Sequence, residues 1–145
     1  MVDEIIESAC LTLLWLVMGI GLSMLLVKLY DLVVFKKFDL QEAIEENNSA
    51  VAIFFSLMMF GIGLVVAATI ISPGTGSLVD DLVLTIGWSA GVSLVATLLF
   101  FICDLLLVPK IKLQEAISDG NIAASVLSGI VYVTVSVVAM AVIMT

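Results

Sequence analysis

The stretch DLQEAIEENNSA runs from Asp39 to Ala50, and its pentapeptide LQEAI, Leu40 to Ile44, returns letter for letter at Leu113 to Ile117. Polar segments of this kind are rare in the chain. Hydrophobic residues make up 63% of it, charged residues 12%, and the mean hydropathy is +1.32. Those values lie outside the range of soluble globular domains and indicate an integral membrane protein.

Between the polar islands the sequence is free of charge from Ser8 to Val27, Asn47 to Val79, Leu82 to Cys103 and Asn121 to Thr145. A crossing needs about 20 apolar residues. The second run contains SPGTGS, Ser72 to Ser77, where proline removes a helix donor and glycine loosens the backbone, so it marks a turn. Four spans are therefore expected, near Ile5 to Phe35, Ser49 to Ile71, Leu78 to Val108 and Ile122 to Met144. The acidic start MVDEIIES lacks the positive charge of a signal peptide, so the first span is expected to be retained.

Sliding the sequence by the spacing of the pentapeptides aligns Leu11, Thr12 and Trp15 with Leu84, Thr85 and Trp88. It also pairs Asp31 with Asp104, Lys37 with Lys110, Asn48 with Asn121 and Ala50 with Ala123. The expected architecture is an all-α integral membrane four-helix bundle built from two parallel two-helix repeats, residues 1–72 and 73–145. Parallel repeats set it apart from inverted-repeat carriers. The basic residues, Lys28, Lys36, Lys37, Lys110 and Lys112, all lie at or after the ends of spans one and three. By the positive-inside rule the LQEAI segments are cytoplasmic and both termini lie outside.

Asp39 to Glu42 has capping-box spacing, which starts a short helix lying at the headgroup boundary with Leu40, Ala43 and Ile44 on one face. The second copy puts Lys112 at the cap position and keeps the amphipathic pattern. Gly120 suits the left-handed end of a short helix, and Asn48 and Asn121 suit the N-caps of the spans that follow. A functional role for the two carboxamides is the other reading of these asparagines.

The repeated two-span unit, the segment LQEAISDGNIAAS at Leu113 to Ser125 and its twin at Leu40 to Ala52 resemble the domain of unknown function 350 family, which includes uncharacterised YjfL-like bacterial inner-membrane proteins. The resemblance covers essentially the whole chain. Where such proteins carry a glycine before the asparagine, this chain has Gly120 in one copy and Asn47 in the other, and asparagine is the next best left-handed residue. The resemblance implies a prokaryotic plasma (inner) membrane location and a link to membrane stress, and it supplies no activity.

Composition excludes much chemistry. Without His there is no ordinary general base near neutral pH and no ready zinc or haem ligand; without Arg there is no bidentate phosphate clamp. No nucleophile has a base at suitable spacing, and the net charge of -8 excludes a nucleic-acid surface. Cofactors and metals are not expected. Cys10 and Cys103 fall near opposite ends of parallel spans, on the order of 25 Å apart, too far for a disulfide.

Asp31 and Asp104 are candidates for a proton or cation site, because acids within apolar spans are costly and usually functional. Their closeness to the loop lysines gives the competing reading, an interfacial structural role. Asp31 has Lys28 one turn before it, whereas Asp104 has no such partner and is the stronger candidate. Trp15 and Trp88 read as outer-leaflet anchors or packing residues. Small-residue steps at Gly19 and Ser23, Gly87 and Gly91, and Ser125 and Gly129 are expected to bring helices close, so that Gly91→Leu would disturb packing more than Val92→Leu.

The functional expectation is a non-enzymatic scaffold or partner-binding protein whose cytoplasmic docking surface comprises Gln41, Glu42, Gln114 and Glu115. Its partners would be the lipid bilayer, further copies of itself, and a membrane or cytoplasmic protein. The alternative is a small oligomeric channel or ion-coupled transporter using Asp31 and Asp104.

Overall fold

The computed structural model describes residues 1–145, which form six helices and no strands. In chain order they are α1 (Val2–Val33), α2 (Leu40–Glu45), α3 (Ser49–Ile71), α4 (Leu78–Leu106), α5 (Leu113–Ser118) and α6 (Ile122–Ile143). Four of them, α1, α3, α4 and α6, are long and apolar enough to cross a membrane. At 1.5 Å per residue the 22 residues of α6 span roughly 33 Å, which matches a hydrocarbon core of about 30 Å. The expected limits hold to within three residues at each end.

The turn at Ser72 to Ser77 forms as the proline and glycines dictate. Gly76 takes a positive φ of 87°, Thr75 donates its amide to Asp81 Oδ1 at 2.8 Å, and Ser77 Oγ accepts the Asp80 amide. Beside it, Ser72 Oγ donates to the Ile143 carbonyl, joining the ends of α3 and α6.

α3 is the hub: it packs most extensively against α6 and also meets α1, α4 and both short helices. Close approach requires small residues. A Cβ on Gly61 would lie 3.0 Å from the Tyr132 carbonyl oxygen, and one on Gly129 would lie 2.5 Å from Leu57 Cδ1. Gly19 performs the same service between α1 and α3, where a Cβ would lie 3.1 Å from Val66 Cγ1, while Ser23 and Ser125 are buried and bond back to backbone carbonyls of their own chain segment.

Gly87 and Gly91 do not behave as expected. A Cβ on either would meet nothing within 4 Å, because both line an open apolar groove between α4 and α6 with Trp88, Val95 and Val138. Val92, by contrast, is buried. The expected ranking of Gly91→Leu over Val92→Leu is thus corrected for packing within this chain.

The bundle closes at the end carrying the short helices with an aromatic cluster. Phe35 and Phe38, from the link between α1 and α2, stack on each other and meet Phe54 and Phe55 of α3, and Phe35 also packs edge-on to Phe100 of α4. Phe35, Phe54 and Phe100 are wholly buried.

Candidate functional site

The first amides of a helix have no partner within it and must be satisfied from outside. At α2 two carboxylates share this task. Asp39 Oδ1 accepts the amides of Gln41 and Glu42 at 2.8 and 3.0 Å, and Asp31, nine residues upstream at the end of α1, reaches the Leu40 amide at 3.0 Å. Glu42 does not return a bond to Asp39, so only half of the expected capping box forms. The Glu42 amide above all, then the Gln41 amide and the Lys28 ammonium, hold the Asp39 carboxyl below its ordinary value of 3.8 against the cost of desolvation. Lys28 Nζ lies 2.6 Å from Asp31 Oδ2 and 3.8 Å from Asp39 Oδ2, which ties the end of α1 to the start of α2.

α5 repeats half of this arrangement. Asp104 Oδ1 accepts the Leu113 amide at 2.7 Å, again across nine residues, while the cap residue Lys112 contributes no side-chain bond. Asp31 has a fully buried side chain with an ammonium on it; Asp104 is half-buried and has no ion pair. Both carboxylates are thus occupied in holding the first turn of a short helix.

The far ends of α2 and α5 are also alike. Asn47 and Gly120 take positive φ of 58° and 86°. The next amide in each case reaches back to the third-last helical carbonyl, Asn48 to Ala43 at 2.7 Å and Asn121 to Ala116 at 2.9 Å, which is the Schellman pattern. Asn48 Oδ1 then accepts the Ala50 and Val51 amides and Asn121 Oδ1 accepts the Ala124 amide, so each caps the span that follows. Asn48 does more. Its Nδ2 donates to the Ser118 carbonyl at 2.8 Å, linking the start of α3 to the end of α5.

Further bonds run along the same seam. Ser118 Oγ donates to the Lys37 carbonyl, and Glu115 Oε1 lies 3.5 Å from both Lys37 and Lys112. Two adjoining clefts result: one is bordered by Asp39, Glu42 and Glu46, the other by Glu115 and Asp119, and both share Lys37 and Ser118. Glu42 and Glu115 are thereby brought to neighbouring clefts on one face. Gln41 is exposed and bonds to Glu45, while Gln114 is half-buried. The apolar sides of the two helices differ. Leu113 and Ile117 are buried, as is Ala43, but Ile44 is 61% exposed, so the expected apolar face of α2 is incomplete.

A second polar feature lies inside the bundle and went unread in the sequence. Thr85, Ser89, Ser93 and Thr97 of α4 recur at four-residue spacing and are all buried. Thr85 Oγ1 bonds to Thr69 at 3.0 Å, Ser93 Oγ to Tyr30 at 3.0 Å and Thr97 Oγ1 to Tyr132 at 2.9 Å, joining α4 to α3, α1 and α6. The i, i+4 spacing of the hydroxyls was the available signal.

Four apolar helices long enough to span, with the charged residues gathered towards their ends and the links between them, define a multi-pass helical membrane protein. Residues 3–143 match the family described as Domain of Unknown Function (DUF350), and the chain belongs to that family. No curated protein and no solved structure matches it.

Proposed function

We propose that this protein is a non-enzymatic scaffold of the prokaryotic plasma membrane, made of two parallel repeats, with the short helices at the cytoplasmic boundary and both termini outside. The observation that supports this most is the construction of α2 and α5. Each is fixed at its first turn by an aspartate of the preceding span and at its last by a Schellman turn, and the two halves are joined through Asn48 and Ser118. The short helices present exposed acids, Glu42, Glu45, Glu46, Glu115 and Asp119, beside the exposed lysines Lys36, Lys37, Lys110 and Lys112 of the links that precede them. The link lysines complement the anionic cytoplasmic leaflet, which leaves the acids of α2 and α5 for a basic segment of a membrane or cytoplasmic protein, in keeping with a role in membrane stress.

The channel or ion-coupled transporter reading has less support. Asp31 and Asp104 each already hold a backbone amide, and the Phe35 cluster fills the interior at that end of the bundle.

Charge reversal tests the scaffold. Glu42→Lys with Glu115→Lys should abolish co-purification of the partner while leaving the amount of inserted protein unchanged. Undiminished co-purification would refute the docking surface.

A further inference from the structure

We infer that α1 of one copy docks on α6 of a second copy, an inference that rests on the two-repeat reading above. Corresponding elements of the two halves have unequal surroundings. α3 is covered by α4 and α5 as well as by its own α1 and α2; α6 packs against α3, α4 and α5, and neither α1 nor α2 makes a comparable contact with it. Under the repeat, the counterpart of α4 lying on α3 is α1 lying on α6. Within one chain that contact is vacant.

The vacancy can be followed residue by residue. Thr85 is wholly buried and its Oγ1 bonds both to the Asp81 carbonyl and to Thr69. Its counterpart Thr12 bonds to the Ser8 carbonyl in the same way, at 2.8 Å, but is exposed. The counterpart of Thr69 is Val142, 62% exposed, and the counterpart of the fully buried Ala68 is Ala141, also exposed. Both sides of the missing contact are therefore present and open. In its own chain α1 packs on α3, where a Cβ on Gly19 would lie 3.1 Å from Val66 Cγ1, and makes no comparable contact with α6. Of the most apolar stretch of α1 only 17% is buried, against 50% for α3.

Exposed apolar surface is ordinary in a bilayer, where lipid covers it as well as protein does. What selects a second copy is that α3 shows what covers this type of face: a helix of the α1 and α4 type. Exchanged reciprocally, α1 on α6 in both directions gives a closed two-fold dimer.

Site-directed cross-linking in membranes decides the matter. In a background with Cys10→Ala and Cys103→Ala, Thr12→Cys is placed in one tagged copy and Val142→Cys in a co-expressed copy with a different tag. Mild oxidation should give a disulfide-linked species carrying both tags. Thr69→Cys with Thr85→Cys in a single chain, whose native hydroxyls lie 3.0 Å apart, should close internally and calibrates the chemistry. If that control closes and no mixed species forms, lipid covers the face and the inference is overturned; a Thr12→Cys, Val142→Cys chain that closes only on itself overturns it equally. The charge reversals that test the cytoplasmic surface lie at the other end of the molecule, so the two outcomes are separable.

Discussion

At Gly129 an added methyl would lie 2.5 Å from Leu57 Cδ1 and 2.7 Å from Leu57 Cβ, so α3 or α6 must shift to admit it. At Gly91 the same methyl meets open space. Overpacking costs about 1–3 kcal/mol, whereas exchanging a helical glycine for alanine returns about 1 kcal/mol. Gly129→Ala should therefore lower the thermal midpoint in detergent, and Gly91→Ala should leave it unchanged or raise it; equal losses in both would contradict the packing described. Sequence spacing alone treats these glycines alike, since a small-residue step shows where a helix can be approached and not which helix approaches. Asp31 and Asp104 carry a related lesson. Their matched positions were legible as significant, but the amides they accept belong to residues nine further on, beyond any local motif.

The short helices show how much an element can be read from its ends. Asn47, standing where the other copy has Gly120, adopts the left-handed conformation that its position demands, and both following asparagines cap the next span. These features were legible because capping depends on neighbours in sequence. The second bond of Asn48, to Ser118, was not, because it joins residues that only the packed bundle brings together. A capping side chain contributes about 1 kcal/mol and a further hydrogen bond about as much again. Asn48→Ala should thus destabilise the protein by about 2 kcal/mol and Asn121→Ala by about 1 kcal/mol, read from unfolding in mixed detergent followed by tryptophan fluorescence. Equal effects would remove the inter-helix bond from the account.

Across the whole molecule the spans were legible from composition, and their neighbours were not. In lipid an apolar residue gives no sign of whether it faces protein or acyl chain, so α3 as hub could not be told from α6 as flank. The hydroxyl stripe of α4 is the exception that sequence offers, and it links α4 to three other spans. Thr97→Val and Tyr132→Phe should each destabilise the bundle, and the double variant should lose about 0.6 kcal/mol or more less than their sum, as expected for one interhelical bond measured by a double-mutant cycle. Strict additivity would place the two hydroxyls out of contact. The aromatic cluster, finally, bears on motion. Connecting segments usually open at little cost, but the one after α1 carries Phe35 and Phe38 into the core, so it can swing away only when the bundle itself comes apart. The segment after α4 has half-buried Val108, packed at the edge of the core, and exposed Ile111 at the corresponding places, and it buries no aromatic ring. Of the two connections only the first is latched by aromatic rings in the core, so its amides should exchange with solvent more slowly than those of the segment after α4.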